Sequence, residues 1–309
     1  MAASSANSSS TSAAICAEVS AGSAISEFAV RDYDLAATLG CGQAFRWECD
    51  GDRWLGVIGE RWVELRQRDL RITARTAEAQ TDWRWLMDYL QLEVNLSPIL
   101  ATFPDDPPLL QAVAACRGLR LLRQPVWECL ASFILSSTKQ IVQIRQIIAE
   151  LSRRFGTPVN VPAGETPWFA FPTAGQLADV AESELRQCRM GFRAPYLLAA
   201  AKAVATGRLD LERLTGLTEA EARRQLLALP GVGPKIADCV LLFGCGFPSA
   251  FPVDVWVMKG LRQHYFPRRR KNLASLRAFS ATHFGPQGGY AQQYLFHWLR
   301  LGAGKKLSH

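Results

Sequence analysis

The segment from Leu229 to Asp254 constrains this chain more than any other. It runs Leu229-Pro230-Gly231-Val232-Gly233-Pro234-Lys235-Ile236-Ala237-Asp238-Cys239, then through an apolar stretch to Pro252-Val253-Asp254. An apolar helix end, a Gly-x-Gly turn and a second helix opening on proline together spell a helix-hairpin-helix. The glycines allow a tight turn, and the amides of Gly231, Val232 and Gly233 lie at a helix N-terminus, where backbone N–H groups suit a phosphate. Pro234 is tolerated in the first helical turn because an N–H there would have no partner. Lys235 follows at the positive end of the helix, a field that favours a neutral, nucleophilic amine. Asp254 lies 19 residues further on, so a second element can fold back beside the lysine. A phosphate grip, an amine and a carboxylate point to chemistry at a sugar carbon of DNA.

The rest of the composition narrows the partner and the cofactor. A net charge of +7 over 309 residues favours a polyanion. No apolar run approaches the ~20 residues that span a bilayer. The eight cysteines, at 16, 41, 49, 116, 129, 188, 239 and 245, lack the spacing of a zinc or iron–sulfur site. The four histidines, at 264, 283, 297 and 309, are not at ligand spacing either. The expectation is therefore no metal and no organic cofactor. Without a secretory signal the cysteines read as reduced thiols of an intracellular protein, cytoplasmic or nuclear according to its source.

Residues 1–25 are Ala/Ser-rich and nearly uncharged, which predicts a disordered tail. From 26 to about 75 the pattern is β: Gln43–Trp47 precedes the hairpin signal Asp50-Gly51, then come alternating runs at Arg53–Ile58, Arg61–Arg66 and Leu70–Thr73. Helical patterns follow at Thr81–Leu92, Leu109–Leu119, Trp127–Ser136 and Gln140–Phe155, the last with Ile141, Ile144, Ile148 and Leu151 on one face. Pro158–Pro172 reads as a connection. Further helices are expected at Glu182–Met190, Ala194–Ala205, Val255–Tyr265, Leu273–His283 and Tyr290–Leu301. Thr218 and Glu221 form a capping box that opens the hairpin, 218–245. The fold class is α+β: an N-terminal antiparallel sheet subdomain with flanking helices over 26–122, then a mainly α-helical domain over 123–309.

Each motif also has a plainer explanation. The hairpin could be an ordinary helix connection, or could bind DNA without catalysis. Lys235 alone would be a surface lysine; its helix-start position and Asp254 beyond it argue otherwise. Cys239 shares a helix face with Lys235 but suits a core equally well. Asp254 would serve as an N-cap whatever else it does. Gln292 and Phe296, spaced i and i+4, resemble a core stripe as much as a binding face. Arg268–Lys271 reads as a solvated basic loop.

Taken together, the hairpin, Lys235 and Val253-Asp254 resemble the helix-hairpin-helix-Gly/Pro-Asp DNA glycosylases, in the lysine-bearing bifunctional branch, and within it the 8-oxoguanine DNA glycosylases. The resemblance runs from about residue 28 to 301. It includes Gly42-Gln43-Ala44-Phe45-Arg46-Trp47, Leu121–Gln124, Trp127–Leu130, Gly191-Phe192-Arg193-Ala194 and Ala291–Phe296. It implies excision of 8-oxoguanine from damaged double-stranded DNA by a monomer. Lys235 would be the nucleophile and Asp254 the catalytic carboxylate. The Gly42 carbonyl would accept from N7–H, Gln292 would read the Watson–Crick edge, and Cys239 and Phe296 would sandwich the base. Phe192 would be the wedge and Arg193 the contact to the orphan cytosine.

The chain departs from that pattern on the opposite strand. Thr138-Lys139-Gln140 stands where eukaryotic members carry three asparagines, Gln143 where a second arginine would read cytosine, and Trp256 where a phosphate-binding histidine is common. Gln143 cannot supply a guanidinium fork. Two alternatives compete: a monofunctional alkylpurine glycosylase of the same fold, which needs no lysine, and a non-catalytic hairpin module. An iron–sulfur branch is disfavoured because no cysteine follows Cys245.

Overall fold

A computed structural model describes residues 23–269 and 271–307. Residues 1–22, most of the expected tail, lie outside the described residues, as does Arg270 of the basic loop. The chain opens with β1 (Ser23–Ala29), α1 (Leu35–Gly40), β2 (Glu48–Asp50), β3 (Arg53–Ile58), β4 (Arg61–Arg68) and β5 (Arg71–Gln80). The strands form one antiparallel sheet in the order β1-β5-β4-β3-β2. The Asp50-Gly51 turn joins β2 to β3 as its sequence predicts. β1 is an addition: it takes in the last residues of the expected tail and pairs Phe28 with Ile72 on the far side of the sheet. One sheet face buries Phe28, Val63, Leu65 and Ile72 against Trp83, Leu86 and Leu90. These belong to or adjoin α2 (Arg84–Leu90), which α3 (Leu96–Leu100) and α4 (Pro107–Ala115) follow. The five-stranded sheet leading into helices is the expected α+β arrangement.

The helical half begins with α5 (Val126–Leu135) and α6 (Ile141–Phe155). Gly156 ends α6 at the predicted position. The Pro-rich connection holds a small ladder, β6 (Pro158–Val159) with β7 (Trp168–Phe169), too short to leave a period-2 signal. Then come α7 (Ala174–Ala178), α8 (Glu182–Leu185), α9 (Ala194–Ala205), α10 (Glu219–Leu227), α11 (Pro234–Val240), α12 (Val255–His264), α13 (Leu273–His283) and α14 (Gly288–Leu307). The helix expected to reach Met190 stops early, and Arg186–Met190 is an irregular turn with Arg189 at φ 60°. Helix α5 is buried from Cys129 to Leu135 and packs against α6, α9 and α11. The buried Asp238 of α11 ties it to Arg223 of α10 and, at 2.8 Å, to Arg277 of α13. Removing one member of such a set would strand a buried charge, so the helix bearing Lys235 is firmly seated.

The segment 119–124 is the seam between the halves, and Gln43 is its fastener. The fully buried Gln43 donates to the Thr38 and Arg120 carbonyls (2.9 and 2.8 Å) and accepts from the Leu122 amide (2.9 Å). Gln124 donates from its side chain to the Gln43 carbonyl and from its backbone to the Phe243 carbonyl, both within 2.8 Å. Trp47 donates to the Tyr89 hydroxyl, and Arg46 pairs with Glu128, whose carboxyl burial pushes above its ordinary range. The run Gln43–Arg46 thus holds the halves together, and it leaves Gly42 at a defined place between them.

Candidate active site

The hairpin forms as its residues dictate. Thr218 and Glu221 cap α10 reciprocally, and the Val232 amide closes the turn onto the Leu229 carbonyl at 3.2 Å. Gly231 sits at φ 77°, and a Cβ there would lie 2.3 Å from the Tyr196 ring of α9, so both conformation and space demand glycine. Gly233 is the N-cap of α11, with open space beside it.

Lys235 therefore stands in the first turn of α11. Its Nζ donates to Ser136 Oγ at 2.9 Å and lies 4.9 Å over the Phe133 ring. Ser136 caps the end of α5 and donates its own proton to the Phe133 carbonyl, which leaves its lone pairs for the lysine. No sequence signal marked Ser136, because only tertiary packing of α5 on α11 brings it to the amine.

Asp254 is the N-cap of α12, accepting from the Val257 amide at 2.8 Å. Burial raises its pKa above the ordinary 3.8, opposed by the Val257 amide and then by the Lys235 charge. The cap role holds, and the carboxyl also feels the Lys235 charge. Cys239, one turn beyond Lys235, is 3% exposed, and burial pushes its thiol up to about 11 against the pull of Lys235. A buried thiol held in its neutral form is not a nucleophile.

The remaining residues expected at the base pocket lie on α14 and in the turn after α1. Gln292 is buried with its Oε1 unpartnered, and Phe296 is half-buried one turn on. An orphaned buried acceptor is costly unless something arrives to donate to it. Gly42 adopts φ 87°, and a Cβ there would lie 2.6 Å from Ile141 and 3.1 Å from Arg300. Arg300, absent from the sequence reading, donates to the Cys41 carbonyl at 3.1 Å and lies 5.4 Å from the Phe296 ring. Its signal was available as the continuation of the Gln292–Phe296 spacing by one more turn. No group of three or more His, Cys, Asp or Glu able to hold a metal occurs among the described residues.

Residues 26–130 match the 8-oxoguanine DNA glycosylase N-terminal domain, and residues 131–280 match the HhH-GPD superfamily of base excision DNA repair proteins. The chain belongs to the 8-oxoguanine DNA glycosylase family. Among similar proteins, a probable N-glycosylase/DNA lyase of Methanothermobacter thermautotrophicus is 35% identical over 219 residues, 64% of this chain and 69% of that one. An N-glycosylase/DNA lyase of Arabidopsis thaliana is 30% identical over 287 residues, 85% of this chain and 76% of that one. The structure of the Clostridium acetobutylicum 8-oxoguanine glycosylase/lyase with DNA containing cytosine opposite 8-oxoguanine aligns with a TM-score of 0.87. It is 30% identical, over 94% of this chain and 98% of that one.

Within this 8-oxoguanine glycosylase, the residues expected to meet the opposite strand form a separate cluster. Phe192 is 54% exposed. Arg193 is folded inward: its guanidinium donates to the carbonyls of Met190 and Ser137 and to Thr138 Oγ1, and stacks on Phe192 at 4.3 Å. Thr138 sits at φ 57°. Gln143 Oε1 accepts from the Gln140 amide at 3.1 Å and so caps α6. Lys139 is half-buried and Trp256 is 36% exposed beside Asp254. The loop 136–140 thus touches both clusters, holding Lys235 through Ser136 and Arg193 through Ser137 and Thr138.

Proposed function

We infer that this chain is a bifunctional DNA glycosylase and AP lyase that excises 8-oxoguanine, with related oxidised or ring-opened purines as further substrates, from duplex DNA in base excision repair. The observation that supports the reading is the Lys235 amine in the first turn of α11, whose charge acts on the buried Asp254 carboxyl at the N-cap of α12. It acts as a monomer on genomic DNA. No helix among the described residues is long and apolar enough to cross a membrane.

Phe192 would enter the stack as the damaged nucleotide swings out, at a cost of a few kcal/mol for unstacking. The C1′–N9 bond breaks with its electron pair leaving on the base, and Asp254 offsets the positive charge that develops on the sugar. Lys235 Nζ bonds to C1′ and loses a proton; the C1′–O4′ bond opens to give an imine. Loss of a C2′ proton then expels the 3′ phosphate and nicks the strand. The Gly42 carbonyl accepts from the N7–H of 8-oxoguanine, whereas guanine presents a lone pair there and leaves a buried acceptor unpaired. Gln292 Oε1 is free to accept from the Watson–Crick edge.

Borohydride trapping on duplexes with 8-oxoguanine opposite each of the four bases tests this directly. Wild type should form a covalent adduct and Lys235→Gln should form none. Absence of an adduct with wild type, or its persistence in the variant, overturns the lyase assignment. The result also separates the two alternatives, because neither an alkylpurine-type enzyme nor a binding module would be trapped.

A further inference from the structure

We propose that Arg300 is a positioning residue for base selection: by holding the Cys41–Gly42 turn against α14, it aims the Gly42 carbonyl at the N7 edge of the flipped purine. The proposal rests on the base-pocket reading above and adds a residue to it.

Helix α14 presents Gln292, Phe296 and Arg300 at i, i+4 and i+8, so all three lie along one face. Gln292 and Phe296 occupy the first two turns of that face. Arg300 occupies the third and reaches across to the other half of the molecule. Its Nη1 donates to the Cys41 carbonyl at 3.1 Å and would lie 3.1 Å from a Cβ at Gly42. The same guanidinium rests 5.4 Å from the Phe296 ring. One side chain therefore touches the turn that carries the proposed N7 acceptor and the ring that would stack on the base.

The turn needs such a support. Gly42 is at φ 87°, a region open to glycine because it imposes no steric barrier, so the peptide is fixed from outside and not by its own side chain. Gln43 clamps it on one side through the seam. The Cys41 carbonyl is the matching point on the other side, and Arg300 is its side-chain donor. Arg300 is half-buried, yet no carboxylate lies within ion-pair distance of it among the described residues. The ionisable groups whose charges would reach it are Arg145 and Asp254, while burial keeps the adjacent Cys41 thiol neutral. A guanidinium partly removed from water for the sake of a neutral carbonyl is a poor stability device, because a buried charge is ordinarily paired. It is a good device for rigidity, since a charge-assisted hydrogen bond is stronger and shorter-ranged in direction than a neutral one.

The test uses the full-length enzyme and two substrates. A duplex with a preformed abasic site needs Lys235 but no base pocket; a duplex with 8-oxoguanine opposite cytosine needs both. In Arg300→Met, single-turnover excision of 8-oxoguanine should fall about tenfold or more, with abasic-site cleavage within about twofold of wild type. The excision advantage of 8-oxoguanine over 7-methyl-8-oxoguanine, which has no N7–H, should shrink by the same factor. Arg300→Lys, which keeps a charge and a donor, should recover part of the loss. Unchanged excision in Arg300→Met, or an equal fall on both substrates, overturns the proposal; should that variant not fold, the same measurements on Arg300→Leu, which also lacks the donor, decide it. Failure of wild type to excise 8-oxoguanine at all would instead sink the pocket reading itself.

Discussion

The cap role of Asp254 and its proposed catalytic role can be separated by one substitution. As the N-cap of α12 it accepts from the Val257 amide at 2.8 Å, and as a carboxylate it faces Lys235. Asp254→Asn keeps a side-chain carbonyl for the cap, since Asn and Asp are nearly equal there, but removes the charge. Loss of preorganised charge opposite a developing cation should slow single-turnover excision by about 10²–10³-fold, or ~2.7–4 kcal/mol. Stability should move the other way. Burial holds the Asp254 pKa above 3.8, so the folded state binds that proton more tightly than the unfolded chain does. That advantage is complete in acid below the unfolded pKa and is lost as pH rises through the raised folded pKa. Asp254→Asn should therefore match or exceed wild type in urea unfolding at neutral pH, and its gain should vanish in acid. Asp254→Ala, which loses the cap as well, should be less stable than the Asn variant by about 1 kcal/mol. The excision rate of wild type should fall on the acid side through a pKa above 3.8. An Asn variant that excises at the wild-type rate would refute the catalytic role, and equal stability losses for Asn and Ala would refute the separation of cap from charge.

The two hairpin glycines should respond differently to substitution. Gly231→Ala meets the Tyr196 ring at 2.3 Å from a positive φ, and should cost more than ~1 kcal/mol in denaturant unfolding along with weakened DNA binding. Gly233→Ala faces open space and should cost less, so equal losses would count against the packing argument. On the opposite strand, Gln143→Arg should raise the preference for cytosine over adenine opposite 8-oxoguanine, read from paired single-turnover rates. It should also lose about 0.5 kcal/mol with the Gln140 amide bond; an unchanged preference would place partner discrimination elsewhere.

The legible parts of this chain were those in which local chemistry and final structure agree. Helices α9 and α13 begin and end where Ala194–Ala205 and Leu273–His283 predict, and the Thr218 box and the Gly156 stop stand as read. β1 was not legible, because it borders an Ala/Ser-rich segment and its partner β5 lies more than forty residues away. The ladder β6–β7 is two residues per strand, below any periodic signal. Within the site, Lys235 and Asp254 announced themselves by position, whereas Ser136 became visible only when α5 met α11. Gln43–Trp47 was singled out as a motif, yet three of its side chains work at the seam, Gln43 and Arg46 by hydrogen bonds and Phe45 against Phe133, while Trp47 bonds to Tyr89 within the sheet half.

That seam has a consequence for how such an enzyme can change. The acceptor proposed to recognise the lesion, at Gly42, hangs from the sheet half, while the amine and carboxylate proposed to cut the strand, at Lys235 and Asp254, belong to the helical half. A substitution at Gln124 or Glu128 changes neither group, but it removes a contact that sets one half against the other. Such changes would retune which base is accepted and leave strand cleavage intact. Substrate range in this architecture is therefore free to drift through the joint, without any visit to the catalytic residues.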